Sequence, residues 1–367
     1  MRGRRFFPLD EKLQLRSDHW SEGAARVVAR HGLREPSFEL AAEEYTEAVG
    51  GSISGSSVRR VTQGFGKGVA EKKEEEAERA MAIGPVGESP RARRVTLKDP
   101  IQGAGNASSD GTMILVRGEG WKEVKMAAFS QVEVLEPDSE KRRRAQREGK
   151  RGQEEIVRLS GHSYCAGLWD ADTFGPYQYA EGLRRGFDLL ERTSSVNDGA
   201  PWIERITGMN FPKTTQVVDW SHSTQRLWAV ANTVYGEGQP ESTAWVERRK
   251  GELWGGEVER VIRGLDRLNL DRATYPDVVR QAPGYFRNNR KRMRYDEFRV
   301  QGYPIGSGTV ESGARNVIQP RMRRPGRGWK RDNAQAMLAA LGELHSGRFQ
   351  WAWQQVYRPV AQSPPKF

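Results

Sequence analysis

Between residues 112 and 219 the hydropathy pattern switches period four times, and that alternation restricts the possible folds more than any other feature of the chain. Residues 112–116 are apolar and β-favouring, 123–135 alternate loosely, and 156–168 make a third strand-like run. Residues 174–190 then read as a helix, with Tyr177, Ala180, Leu183 and Phe187 on one side. Residues 194–197 return to strand character, Pro201 can open a helix, and 214–219 form a short buried strand. Three strands, helix, strand, helix, strand is the order of an α/β layer.

The flanks are helical. Phe38, Ala41, Ala42, Tyr45, Ala48 and Val49 recur at helical spacing, Gly50-Gly51 interrupts them, and Ser54, Ser56 or Ser57 can cap a second helix carrying Val58, Val61 and Phe65 inward. Arg59, Arg60 and Gln63 then point outward, which is the order of a helix-turn-helix or of an ordinary helical hairpin. Residues 67–78 are a charge run expected to be a solvated helix surface. Residues 84–109, with Pro85, Pro90 and Pro100 among many Gly and Ser, read as a linker. Residues 138–155 are a charged excursion that can touch DNA. From 220 to 299 nearly every signal is helical, and further helices are expected at Glu311 and over 334–344. These readings divide the chain into a helical N-terminal DNA-binding region (1–83), a linker (84–109), a first core part (110–222), an all-helical insertion (223–301) and C-terminal core helices with a basic segment (302–355).

The charge of the chain is concentrated. Of a net +11, residues 284–331 carry thirteen Lys and Arg against Asp296, Glu297 and Glu311. A surplus on one stretch favours a polyanionic partner, because neutralising phosphates releases condensed counterions. The lone Cys165 excludes a disulfide within the chain and a cysteine-built zinc site. No signal peptide or membrane-length apolar run is visible, so a cytoplasmic protein is expected, nucleoid-associated when bound to DNA.

Within that basic stretch Glu311 stands apart, in Gly306-Ser307-Gly308-Thr309-Val310-Glu311-Ser312-Gly313. An acid among cations suits a site where a carboxylate holds a divalent cation while its neighbours hold phosphates. Asp110 and Asp198, each beside a strand and each before a glycine, complete a three-carboxylate set. Each also has an ordinary reading: Asp110-Gly111 as a turn, Asp198 as a helix cap, Glu311 as a first-turn acid. Asp219 and His222, three apart at a strand-to-helix junction, can share one side and either serve a substrate or lock the junction.

Together Asp110-Gly111-Thr112, Asp198-Gly199-Ala200-Pro201-Trp202-Ile203, Asp219-Trp220-Ser221-His222 and the Gly306–Ser312 segment resemble the bacterial ISKra4-family insertion-sequence transposases, relatives of the Mutator-like DDE enzymes. Arg321-Met322-Arg323-Arg324-Pro325-Gly326-Arg327-Gly328-Trp329 and Ala334-Gln335-Ala336-Met337-Leu338 are similar too, so the likeness covers roughly 100–355 and more loosely 1–80. The resemblance implies a ribonuclease H-like core with an all-α insertion. It implies Asp110, Asp198 and Glu311 as ligands of two Mg²⁺ ions (Mn²⁺ can substitute), with Asp219 and His222 as catalytic accessories. It implies double-stranded DNA, element ends and target, as partner, and a homodimer or larger assembly. Arg59, Arg60, Arg315, Arg321, Arg323, Arg324, Arg327 and Lys330 are the expected DNA contacts. Two departures from the family pattern stand out: the Cys-containing segment expected before Phe6-Phe7-Pro8-Leu9-Asp10 is missing, and polar Asn106-Ala107-Ser108-Ser109 replaces an apolar strand before Asp110. They keep open a decayed or truncated copy that only binds DNA; a nuclease with the same core is the other alternative.

Overall fold

Serine caps begin the fold. The hydroxyls of Ser21, Ser37 and Ser54 each accept a backbone N–H three residues on, starting α1 (Glu22–Arg34), α2 (Phe38–Val49) and α3 (Gly55–Met81). The structure, a computed structural model, describes residues 20–82, 95–135, 140, 143 and 157–357. Next come β1 (Ala104–Val116), β2 (Gly120–Val134), β3 (Val157–Gly167), α4 (Ala171–Arg184), β4 (Arg192–Asn197), α5 (Pro201–Asn210) and β5 (Thr215–Val218). Residues 220–300 hold only helices: α6 (Trp220–Tyr235), α7 (Pro240–Trp254), α8 (Val258–Asp266), α9 (Asp277–Arg280), α10 (Ala282–Asn289) and α11 (Tyr295–Val300), with a short 3-10 turn after α10. Then α12 (Gly308–Gly313) continues through a π-helical turn at Ala314–Ile318 into α13 (Gln319–Met322). The described chain ends with α14 (Arg331–His345) and α15 (Phe349–Tyr357).

The five strands form one mixed sheet in the order β3-β2-β1-β4-β5. β1, β2 and β3 are antiparallel neighbours, whereas β4 joins β1, and β5 joins β4, in parallel through the helical crossovers α4 and α5. The protein is α/β, as its alternation of periods predicts. Along β2 successive residues part to opposite faces. Val124, Met126 and Ala128 enter a core shared with α1–α3 and α12–α15, while Ala127 and Phe129 enter another with α4 and α5. A third core joins Val196, Val217 and Val218, at the β4–β5 edge, to α6–α11.

Several boundaries differ from expectation. β1 starts at Ala104, inside the stretch expected as linker over 84–109. Its first half lacks large apolar residues because buried polar groups satisfy one another there. Asn106 Nδ2 donates to Ser108 Oγ (3.0 Å), and Ser194 Oγ donates to Asn106 Oδ1 (2.9 Å). The 67–78 run is helical, but Lys73 is buried rather than solvated. The excursion at 138–155 lies outside the described residues except at 140 and 143. No helix among the described residues is long and apolar enough to cross a membrane.

Candidate active site

One buried asparagine ties the middle of β1 to the ends of β4 and β5. β1 and β4 pair only over 104–106 and 192–194, and then separate. Beyond that point the Asn197 side chain replaces the ladder: its Oδ1 accepts the Ser109 N–H (2.6 Å) and its amide donates to Ser195 Oγ (2.8 Å). Its carbonyl accepts the Asp219 N–H (2.7 Å). Ser109 precedes Asp110, Asn197 precedes Asp198, and Asp219 follows β5. The latch therefore sets three aspartates around the opening between β1 and β4, where the strand order reverses and open α/β sheets present their clefts.

Each acid is then fixed in its own way. Asp110 lies within β1, opposite Met126 on β2, so the turn reading of Asp110-Gly111 does not hold. Its carboxyl is half-buried, and burial pushes it above the usual carboxylate range. The Gly111 N–H opposes that shift, while the nearby charges of Asp198 and Glu311 add to it. Asp198 accepts the Ala200 N–H on Oδ1 (2.8 Å), and its carbonyl accepts the Tyr285 hydroxyl (3.0 Å). Gly199 between them has φ +90°, and a Cβ there would come within 3.0 Å of the Tyr285 ring. Asp198 is not the helix cap; Ala200 is, without a side-chain bond.

Asp219 is 2% exposed and caps α6. Its Oδ1 accepts the His222 N–H (2.7 Å) and lies 3.1 Å from His222 Nδ1; its Oδ2 accepts the Ser307 N–H. Burial raises its carboxyl, but these hydrogen bonds outweigh burial and hold it below the ordinary range. The hydrogen bond to Asp219 raises His222 against its own burial, and the charges of Asp219, Glu311 and Asp198 raise it further. Glu311 reaches in from α12: its Oε1 is 3.7 Å from His222 Nδ1 and accepts from Ser307 Oγ at 3.3 Å. Its helix lies close on the sheet because Gly313 leaves room, a Cβ there meeting Met126 and Tyr164 at 2.8 Å.

The expected ligands Asp110, Asp198 and Glu311 thus share one electrostatic neighbourhood with His222. The tightest set differs from the expected trio. Among the described residues, Asp219, His222 and Glu311 are the group whose donor atoms all lie within 4.8 Å of one another. Asn197, Ser307 and Tyr285 are the positioning residues that sequence reading missed. Of these, only Ser307 carried a signal, as a small polar residue in the glycine-rich run before Glu311.

Of the basic residues, Arg59, Arg60, Arg315, Arg323, Arg324, Arg327 and Lys330 are exposed. Arg321 is not: it is 4% exposed, its Nε donates to Gly32 O (3.0 Å) and its Nη1 to Pro36 O (3.2 Å). It lies 4.1 Å over the Phe38 ring. Its role as a surface contact is corrected to that of a buried pin between α13 and the α1–α2 corner. No protein-family model and no curated protein matches the chain.

Proposed function

We propose that the chain is a DNA transposase of the DDE type, built on a ribonuclease H-like core and similar to the ISKra4-family enzymes. The observation that carries this reading is the convergence of Asp110, Asp198, Asp219, His222 and Glu311, drawn from β1, β4, β5, α6 and α12, on one opening in the sheet. The order β3-β2-β1-β4-β5 with β2 antiparallel supports the core assignment. Residues 220–300 have the helical content an insertion between the Asp219 strand and the Glu311 helix requires.

Phosphodiesters resist attack because a nucleophile must approach an anion. Carboxylate oxygens suit a hard divalent cation, and such a cation would offset both the burial that raises Asp110 and the charges of Asp198 and Glu311 that add to that shift. Asp110, Asp198 and Glu311 are the residues that would hold it. An ion there, Mg²⁺ or in its place Mn²⁺, would supply activation of the attacking oxygen and stabilisation of the leaving one. Asp219 fixes His222 at the start of α6 with its ring beside Glu311, where it orients a substrate phosphate. Exposed Arg323, Arg324, Arg327 and Lys330 grip the DNA backbone, and Arg59 and Arg60 on α3 contact element ends. A dimer or larger assembly brings two ends together.

The test is Mg²⁺-dependent nicking and joining of duplex DNA taken from either side of the coding region, where an insertion sequence would carry its terminal repeats. The expected result is cleavage with strand transfer, reduced at least about a thousandfold in Asp198→Ala, the scale of removing one member of a catalytic set. Cleavage without joined products makes the protein a nuclease on the same core. Salt-sensitive binding with no cleavage makes it a DNA-binding relative.

A further inference from the structure

His222 brings a nitrogen to a site otherwise built of oxygen. Its Nδ1 lies 3.1 Å from Asp219 Oδ1 and 3.7 Å from Glu311 Oε1, and Asp110 and Asp198 fall outside that tight group. A zinc-class ion binds imidazole nitrogen at about 2.0–2.1 Å and carboxylate oxygen at about 2.0–2.2 Å, so two of its ligands in a tetrahedral arrangement stand about 3.4 Å apart. The two separations measured from Nδ1 bracket that value. Asp219 is fixed, because backbone N–H groups of His222 and Ser307 hold both its oxygens. Glu311, with its side chain 46% exposed, can swing onto an ion, and the open side beside it leaves a position for water. Imidazole suits Zn²⁺, Cu²⁺ or Ni²⁺, whereas Mg²⁺ takes oxygen ligands and keeps several waters.

We infer that Asp219, His222 and Glu311 form a binding site for a zinc-class transition ion, separate from the Mg²⁺ trio and sharing Glu311 with it. The ion takes the place of the proton that joins His222 Nδ1 to Asp219 Oδ1, and that proton passes to solvent. The site rests on the three donor atoms alone, whereas its consequence rests on the function proposed above. An ion held at His222 turns Glu311 away from Asp110 and Asp198, so it opposes Mg²⁺ and lowers cleavage. The competing account is a histidine clamped between two carboxylates by hydrogen bonds, which gives no preference for a transition ion.

The experiment titrates the metal-stripped full chain with Zn²⁺ by calorimetry and with Co²⁺ by visible absorbance, with Mg²⁺ titrated for comparison. The wild type is expected to bind Zn²⁺ more tightly than Mg²⁺ and to give the visible bands of low-coordinate Co²⁺. His222→Ala is expected to weaken Zn²⁺ at least about a hundredfold, the upper end of what losing a mere outer-sphere partner costs, and to abolish the bands. Glu311→Gln, an exposed change on α12, is expected to weaken Zn²⁺ as well with the melting temperature of the stripped protein unchanged, which separates lost ligation from misfolding. Asp198→Ala is expected to retain Zn²⁺. Equal Zn²⁺ affinity in the wild type, His222→Ala and Glu311→Gln overturns the inference, as does an equal loss in Asp198→Ala. Cleavage by the wild type without His222-dependent Zn²⁺ binding sinks the site and leaves the transposase reading standing; such binding without cleavage does the reverse. Where both occur, Zn²⁺ is expected to suppress cleavage and added Mg²⁺ to restore it, and undiminished cleavage overturns the sharing of Glu311.

Discussion

Asn197 shows how one side chain can decide whether a site exists. Its carboxamide takes over from a backbone ladder at the place where β1 and β4 part, so it is buried, bonded through both its oxygen and its nitrogen, and placed beside Asp198 and the residue before Asp110. Replacing it with alanine leaves the Ser109 N–H buried without an acceptor, a loss of about 1–3 kcal/mol. Denaturant unfolding is expected to show that loss. Cleavage is expected to fall further than metal-free DNA binding, and equal losses in both would reduce Asn197 to a folding residue. The Asp219–His222 pair was legible in the sequence because three-residue spacing at a helix start puts two side chains together. Asn197 and Tyr285 were not, because their partners lie 88 and 87 positions away and no local pattern encodes them. Asp110 was legible as a candidate acid; its strand was obscured by Asn106, Ser108 and Ser109, whose burial is made tolerable by bonds to each other and to β4.

Among the helices, a buried ionic cluster holds α3, α4 and α14 together. Arg348, just before α15, reaches Glu181 Oε1 at 2.8 Å and Glu343 Oε2 at 2.8 Å; Arg184 reaches Glu343 at 3.1 Å, and Lys73 reaches it at 2.5 Å. Glu76 pairs with Arg184 as well. Burial alone would raise the Glu343 carboxyl, yet Arg348, Lys73 and Arg184 hold it well below the usual range. A depressed acid contributes stability that is present above its unfolded value, about 4.3, and lost as pH falls through the folded one. Glu343→Gln uncouples three cations in a dry site and is expected to cost about 3–5 kcal/mol. The acid limb of its melting-temperature profile is expected to be flatter than that of the wild type; an unchanged limb would show that other carboxylates govern acid unfolding. Sequence reading took Lys73 for a solvated charge because runs of Lys and Glu usually are. Only the docking of α14, which brings Glu343 to Lys73, and of α4, which brings Arg184 to Glu76, turns two of those charges inward.

At the scale of the molecule, the N-terminal helices are not an appendage. Val58, Val61, Phe65 and Val69 of α3 share one core with Met337, Leu338 and Leu341 of α14 and with β1 and β2, and Phe65 packs on Phe349 and Trp353. Removing residues 1–82 is therefore expected to abolish the cooperative melting of the remainder, seen as loss of near-ultraviolet circular dichroism with helix content retained. A truncated chain that still melts sharply would show that the remainder folds without these helices. The helical hairpin itself was readable from its caps and spacing, but what it packs against was not, since the partner is almost 300 residues downstream. The rod over residues 308–322 ties Glu311 to Arg321, and its π turn at Ala314–Ile318 takes in a surplus residue. Each residue advances a helix by about 100°, so the same sequence wound as unbroken α-helix would aim one end about 100° away from its present bearing. The compass heading of the acid relative to the guanidinium at the other end is thus written in a single miscounted turn.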